Sequence, residues 1–175
     1  GRIIALSKEM EQDVLRNYPM ANVEVIPNGV NINAIRAEIY EKKAFLRELG
    51  LPENAFIVGH VGRFHPVKNH EKLIDIFAEI KRVQKDAYLL LVGSGDSNRT
   101  ERLRQLVREN KLDKSVLFLG ERADATKVMS VFDVFLLPSI KEGFSLVLVE
   151  AQAHGIRAIA TDSVPDEVVI NPNCF

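Results

Sequence analysis

The chain has 175 residues and a formal net charge of −1, enough for one domain with a substantial core and without a basic footprint for nucleic acid or anionic lipid. Its one cysteine, Cys174, excludes a disulfide framework and a cysteine metal cluster, and no apolar run approaches the roughly 20 residues of a membrane span. No secretory leader is read at the start, and a cytoplasmic protein is expected.

Short aliphatic or β-branched runs alternate with helical patterns. Ile3–Leu6 reads as a strand, Lys8–Asn17 as a helix and Val23–Ile26 as a second strand. Pro27-Asn28-Gly29-Val30 is a turn signal, with Asn-Gly suited to positive φ, and takes a structural role. One helix is expected over Asn33–Leu49, then the strand Phe56–Val61 and a helix over Asn69–Val83. The strand Tyr88–Val92, the helix Arg99–Asn110, the strand Val116–Leu119 and a short helix at Ala125–Ser130 follow. Val131–Leu137 reads as a buried parallel strand ended by Pro138-Ser139. Phe144–His154 reads as a helix with Gly155 as its stop, and Arg157–Ala160 as the last strand.

Strands apolar on both faces and separated by helices imply a parallel sheet covered on both sides. The expected fold over residues 1–175 is α/β: an open, doubly wound, mostly parallel Rossmann-like sheet. In that class ligands gather at the carboxyl ends of the strands, beside the topological switch. Gly62-Arg63, Gly93-Ser94-Gly95, Gly120-Glu121 and Glu142-Gly143 each follow a strand, so four strand ends are expected to face one crevice. Both termini read as cut, and the chain is expected to be a piece of something larger.

The segment Lys141–Gly155 carries the most chemistry. Glu142 stands before a helix whose first free N–H groups, those of Gly143, Phe144 and Ser145, would point at an incoming anion. Glu150 sits among Leu146, Val147, Val149, Ala151 and Ala153, where an unpartnered carboxylate is costly. A strand, an anion-receiving helix start and two acceptors for hydroxyl donors are the chemistry of holding a sugar nucleotide. Upstream, Arg63 and Lys68 could clamp a diphosphate, one as a planar fork and the other as a mobile point charge. The same residues would suit an ordinary solvated loop, and the pair gains weight only beside Glu142 and Glu150.

Gly93-Ser94-Gly95 is a weaker signal. A dinucleotide fingerprint needs a third glycine where Asn98 stands, so a phosphate- or sugar-facing tight turn is the reading kept. His60 is expected to pack inside a strand, and His154 to cap a helix end where a cation is favoured. The histidines do not cluster with acidic residues, and no Asp-x-Asp pair offers a carboxylate site for Mg²⁺ or Mn²⁺.

These residues resemble the C-terminal, donor-binding domain of the group 1 retaining glycosyltransferases of the GT-B fold. The likeness runs through Val25-Ile-Pro-Asn-Gly-Val30, Val61-Gly-Arg63 with Lys68, Leu90-Leu-Val-Gly-Ser-Gly95 and Val116-Leu-Phe-Leu-Gly120. It continues through Asp133-Val-Phe-Leu-Leu-Pro-Ser139, then Glu142 to Glu150, and on to Ala160-Thr-Asp162. The resemblance implies that Arg63 and Lys68 hold the donor diphosphate and that Glu142 contacts sugar hydroxyls, the three forming the catalytic set. Donor binding would then involve Gly62, Gly93, Gly95, Gly143, Phe144, Ser145, Leu146 and Glu150, with Glu150 on the ribose hydroxyls. Ser145 stands where many members have Gly or Pro, which leaves the donor sugar open. The wording of the chain is similar to enzymes that build bacterial capsular or exopolysaccharide chains.

The implied reaction moves a hexosyl group from a nucleoside diphosphate sugar, a UDP-sugar being favoured, to a glycan or lipid-linked acceptor with retained configuration and without a metal. The acceptor would bind through an N-terminal domain absent from this chain, so the isolated fragment is expected to transfer nothing. The full protein could also sit at the inner membrane face. Two alternatives remain: a non-catalytic nucleotide-binding module, and a relative of the same fold such as a sugar-nucleotide epimerase or a phosphorylase.

Overall fold

The computed structural model describes residues 1–175. In chain order the elements are β1 (Arg2–Ala5), α1 (Lys8–Asn17), β2 (Asn22–Val25), α2 (Ile32–Ala37), α3 (Lys42–Glu48), β3 (Phe56–Val61) and α4 (His70–Val83). Then come β4 (Ala87–Val92), α5 (Ser97–Glu109), β5 (Val116–Gly120), α6 (Ala125–Met129), β6 (Val134–Leu137), α7 (Leu146–Ala153) and β7 (Arg157–Ala160). Pro66–Lys68 and Asp166–Val168 form single 3₁₀ turns.

Five strands make one all-parallel sheet in the order β5-β4-β3-β6-β7. The chain winds outward from β3 to β5, then returns to lay β6 against the other side of β3. The switch point is therefore the crevice between the carboxyl ends of β3 and β6. Alternate residues of each strand feed opposite cores, as the two-residue period of a strand requires. Ile57, Val61, Leu90, Val92, Phe135 and Leu137 face α3, α6 and α7. Val58, Leu89, Leu91, Val134 and Leu136 face α4 and α5, through Leu73, Ile74, Phe77, Leu103 and Val107. Full burial of one such side chain contributes about 1.5–3 kcal/mol. Gly59 interrupts the first set for a reason, since a Cβ there would lie 2.0 Å from the ring of Phe132.

The structure corrects several expectations. Only five of the seven strands join the main sheet, because β1 and β2 pair in parallel as a separate ribbon. The helix expected over Asn33–Leu49 breaks at Glu38-Ile39-Tyr40. There Glu41 caps α3 by accepting from the N–H groups of Lys43 and Ala44 at 3.1 and 2.7 Å, while the Tyr40 N–H donates to Ser130 Oγ at 3.0 Å. The strand expected from Val131 begins at Val134, because Val131 and Phe132 complete the turn that closes α6. The helix expected from Phe144 begins at Leu146. Neither Asn28 nor Gly29 has positive φ, and the turn expected at Pro27–Val30 is an irregular connection without a turn.

The last residues lie along the free edge of β7, where Ala160 N donates to Phe175 O at 2.8 Å and Phe175 N to Ala158 O at 2.9 Å. Buried Gln152 ties down the preceding stretch by donating to Val168 O and accepting from the N–H groups of Ile170 and Asn171. No helix of the chain is long and apolar enough to cross a membrane.

Candidate active site

The segment leaving β3 turns back sharply. Pro66 suits the first position of its 3₁₀ turn, and Asn69 ends it in the left-handed region at φ 54°, a conformation that asparagine tolerates better than most residues. The turn is stitched to the segment leaving β6 by Ile140 N donating to Val67 O at 2.8 Å. Lys68 and Glu142, 74 positions apart, meet as an ion pair at 2.7 Å. The Glu142 side chain is 8% exposed and that of Lys68 24%, so their attraction is screened less than that of a surface pair. One of the three Lys68 N–H donors is used, and the second oxygen of Glu142 has no partner in the chain. Arg63 is exposed and pairs with no carboxylate, which leaves a free cation at the same strand end.

Beyond Glu142 the chain bends at Gly143 and reaches Ser145, the N-cap of α7, in an extended conformation. The N–H groups of Gly143, Phe144, Ser145, Leu146 and Val147 donate to no backbone carbonyl. The Ser145 hydroxyl makes no capping bond and is buried without a partner. A helix start with its own cap unused is a ready anion receiver. Further along α7, Glu150 is half-buried and makes no hydrogen bond or ion pair. Burial raises its carboxyl above the usual value.

The neighbouring strand ends continue the rim. Phe64 N donates to Ser94 O at 2.7 Å, and Ser94 Oγ donates to Glu121 at 3.2 Å. Gly93 has φ 136°, and a Cβ on it would lie 2.1 Å from Gly62 O; one on Gly95 would meet Phe64 Cβ at 2.7 Å. These two glycines let the β4 end press against the β3 end. Arg63, His65, Ser94 and Asp96 help line a hollow of about 280 Å³ beside them. Hydrogen bonds and the ion pair thus link the ends of β5, β4, β3 and β6 in one line.

Sequence reasoning missed what lies beneath the line. His60 and His70 are both fully buried and meet edge to face at 4.7 Å between ring centroids. His60 packs inside its strand as expected, with Nδ1 donating to Leu136 O at 2.8 Å, but its Nε2 and both nitrogens of His70 lack partners. Burial lowers His60 to about 4 and His70 to about 3, so both rings are neutral near pH 7. His154 does stand at the end of α7, yet burial lowers its pKa and Nε2 meets Thr126 O at 2.8 Å; the cation expected there is absent. No group of three or more His, Cys, Asp or Glu side chains converges as metal ligands would.

The architecture agrees with comparisons to known proteins. The family described as Glycosyl transferases group 1 matches residues 41–173, and the chain belongs to that family. It is 35% identical to EpsF of Bacillus subtilis over 154 residues, covering 87% of this chain and 39% of that protein. With the Escherichia coli UDP-Gal:alpha-D-GlcNAc-diphosphoundecaprenol alpha-1,3-galactosyltransferase it shares 31% identity over 166 residues, 92% of this chain and 42% of that one. Among solved structures, Anabaena Alr3699/HepE in complex with UDP superposes with a TM-score of 0.87 at 28% identity, covering 98% of this chain and 48% of that one. The same protein in complex with UDP-glucose superposes at 0.84 with 27% identity, covering 96% and 46%. The fold is thus the Rossmann-like half of a GT-B architecture, and the chain spans about two fifths to one half of the length of these relatives.

Proposed function

We propose that residues 1–175 form the donor-binding half of a retaining glycosyltransferase, which moves a sugar from a nucleoside diphosphate sugar to a glycan or lipid-linked acceptor. The observation that carries the reading is the set of groups at the β3–β6 switch point: the Lys68–Glu142 pair, the free Arg63, the unused α7 start and the unpartnered Glu150. A UDP-sugar is the favoured donor, a choice supported by the UDP and UDP-glucose complexes of Alr3699/HepE. A lipid-linked acceptor is supported by the diphosphoundecaprenol in the name of the E. coli relative. A cytoplasmic enzyme meeting that acceptor at the inner membrane face fits the same reading.

In the proposed chemistry, positive charge develops on the sugar ring while negative charge grows on the departing diphosphate. Fixed donors aimed at that growing charge are the main help a site can give. Lys68 keeps two N–H donors for phosphate oxygens while its third stays on Glu142. Arg63 adds a fork, and the N–H groups of residues 143–147 add neutral donors. The second Glu142 oxygen would accept from a sugar hydroxyl, and Glu150 from the ribose. Gly62, Gly93 and Gly95 let the β3 and β4 ends pack closely, which would set Arg63 and Lys68 beside the diphosphate. These donors stabilise the leaving group by themselves, which supports transfer without a metal.

Calorimetric titration with UDP, GDP and ADP tests the reading. UDP is expected to bind best, and Arg63→Ala and Glu150→Ala to abolish its signal. An unchanged signal in both variants would move the site elsewhere.

A further inference from the structure

α1 precedes the 41–173 segment matched by the family, yet it touches the proposed site at Gly143 and is tied to the turn after β7 beside it. A Cβ built on Gly143 would lie 2.6 Å from Met10 Cε, so the methionine methyl rests on the loop between Glu142 and α7. At the start of the same helix, the Lys8 N–H donates to Glu167 Oε1 at 2.8 Å across 159 positions. Glu167 belongs to the turn after β7, whose Thr161 and Ser163 hydroxyls donate to Ser139 O at 2.6 and 2.8 Å, next to the loop that carries Glu142. That backbone bond holds the Glu167 carboxyl below its usual value. The helix is therefore fastened at its first turn by a carboxylate, and its third residue covers the glycine of the site. Lys8, Glu9 and Gln12 face residues 164–167 across a hollow of about 490 Å³, a size typical of small-molecule sites.

We propose that α1 is the sugar-side wall of the donor site, with Met10 and Glu167 as positioning residues that set the Gly143 loop for the glycosyl group more than for the nucleotide. The inference rests on the donor reading above. Met10 acts through the Gly143 backbone, and Glu167 acts by keeping α1 seated. The diphosphate and ribose also have Arg63, Lys68 and Glu150, which α1 does not touch, whereas the sugar relies on the Gly143 loop and Glu142. Loss of the wall should consequently weaken a sugar nucleotide more than the bare nucleotide.

The test titrates the chain and four variants with UDP and with UDP-glucose, UDP-galactose and UDP-N-acetylglucosamine. Thermal unfolding is followed in parallel to confirm that each variant folds, and amide exchange of Lys8 to report whether α1 stays fastened. For the UDP-sugar that binds best, Met10→Ala and Glu167→Ala should each lower the ratio of UDP-sugar to UDP affinity on the order of tenfold. Met10→Leu keeps the bulk and Glu167→Gln keeps an acceptor oxygen, so both should restore the ratio to within about threefold. An unchanged ratio in the two alanine variants, or an equal loss of both ligands, overturns the inference while the donor reading stands. Failure of the parent chain to bind UDP or any of the three sugars overturns the donor reading, and this inference falls with it.

Discussion

The five-stranded sheet and the β1–β2 ribbon are both parallel and both rich in aliphatic residues, but they bury those residues very differently. In β3, β4 and β6 nearly every side chain is inaccessible, because helices cover both faces. In the ribbon, Ile3 and Ile4 are 40% and 59% exposed, and Ile26 just beyond it is 46% exposed. An aliphatic strand thus signals a parallel pairing in both regions, and burial follows only where helices of the same chain are at hand. The sheet carries the stability of the chain, and the ribbon carries α1 to its place beside Gly143.

The largest effect that could break this comparison lies in the core. Phe77→Ala should cost about 3–5 kcal/mol of unfolding free energy in urea titrations, and a loss under about 1 kcal/mol would mean that the α4 face is not core. Next comes the buried histidine pair. Burial holds His70 at about 3, so the stability it contributes is present above about 6.5 and drains away as pH falls toward 3. His70→Phe should remove roughly 3 kcal/mol of the loss seen between pH 7 and pH 4, read as a flatter stability–pH curve. An unchanged acid limb would show that the ring is already charged or solvated.

Lys68→Ala leaves Glu142 nearly buried without its cation and should cost roughly 2 kcal/mol, with UDP affinity falling alongside. Stability and binding moving apart would separate the structural share of this pair from its ligand share. Glu150→Gln is smaller. Because burial raises the folded carboxyl, its stabilising contribution is present at acid pH and lost as pH rises through the raised value. The glutamine variant should therefore gain stability at pH 7 and almost none at pH 3, read as a flatter neutral limb of the stability–pH curve. The ribbon gives the smallest change: Ile4→Ala should move stability by less than about 0.5 kcal/mol. A loss comparable to that of Phe77→Ala would place the ribbon and the sheet in one cooperative core.

Much of this was readable from the residues. The strands Phe56–Val61 and Arg157–Ala160 and the helix Lys8–Asn17 fall where the sequence suggested, because continuous aliphatic runs and a helix-spaced apolar pattern report local geometry directly. The break at Tyr40 was not readable, since it is favoured by distant partners, the Tyr40 N–H donating to Ser130, 90 positions away, and its hydroxyl to Asp124, 84 positions away. The His60–His70 contact escaped for a similar reason, as one ring lies on a strand and the other begins the helix behind it. Met10 carried no signal at all: a methionine on a partly buried helix face looks like ordinary packing.

Local chemistry in the sequence determined the alternation of strands and helices, the glycine turns at the strand ends and the unusual carboxylate in an apolar helix. Those features depend on side-chain period, positive φ and hydrogen-bonding groups within a few residues. Tertiary structure alone decided that β6 returns to β3 instead of extending past β5, and so which ends share a crevice. That choice rests on how two apolar faces are covered at once, a sum over many distant contacts. It brings Lys68 within 2.7 Å of Glu142 and seats α1 on Gly143.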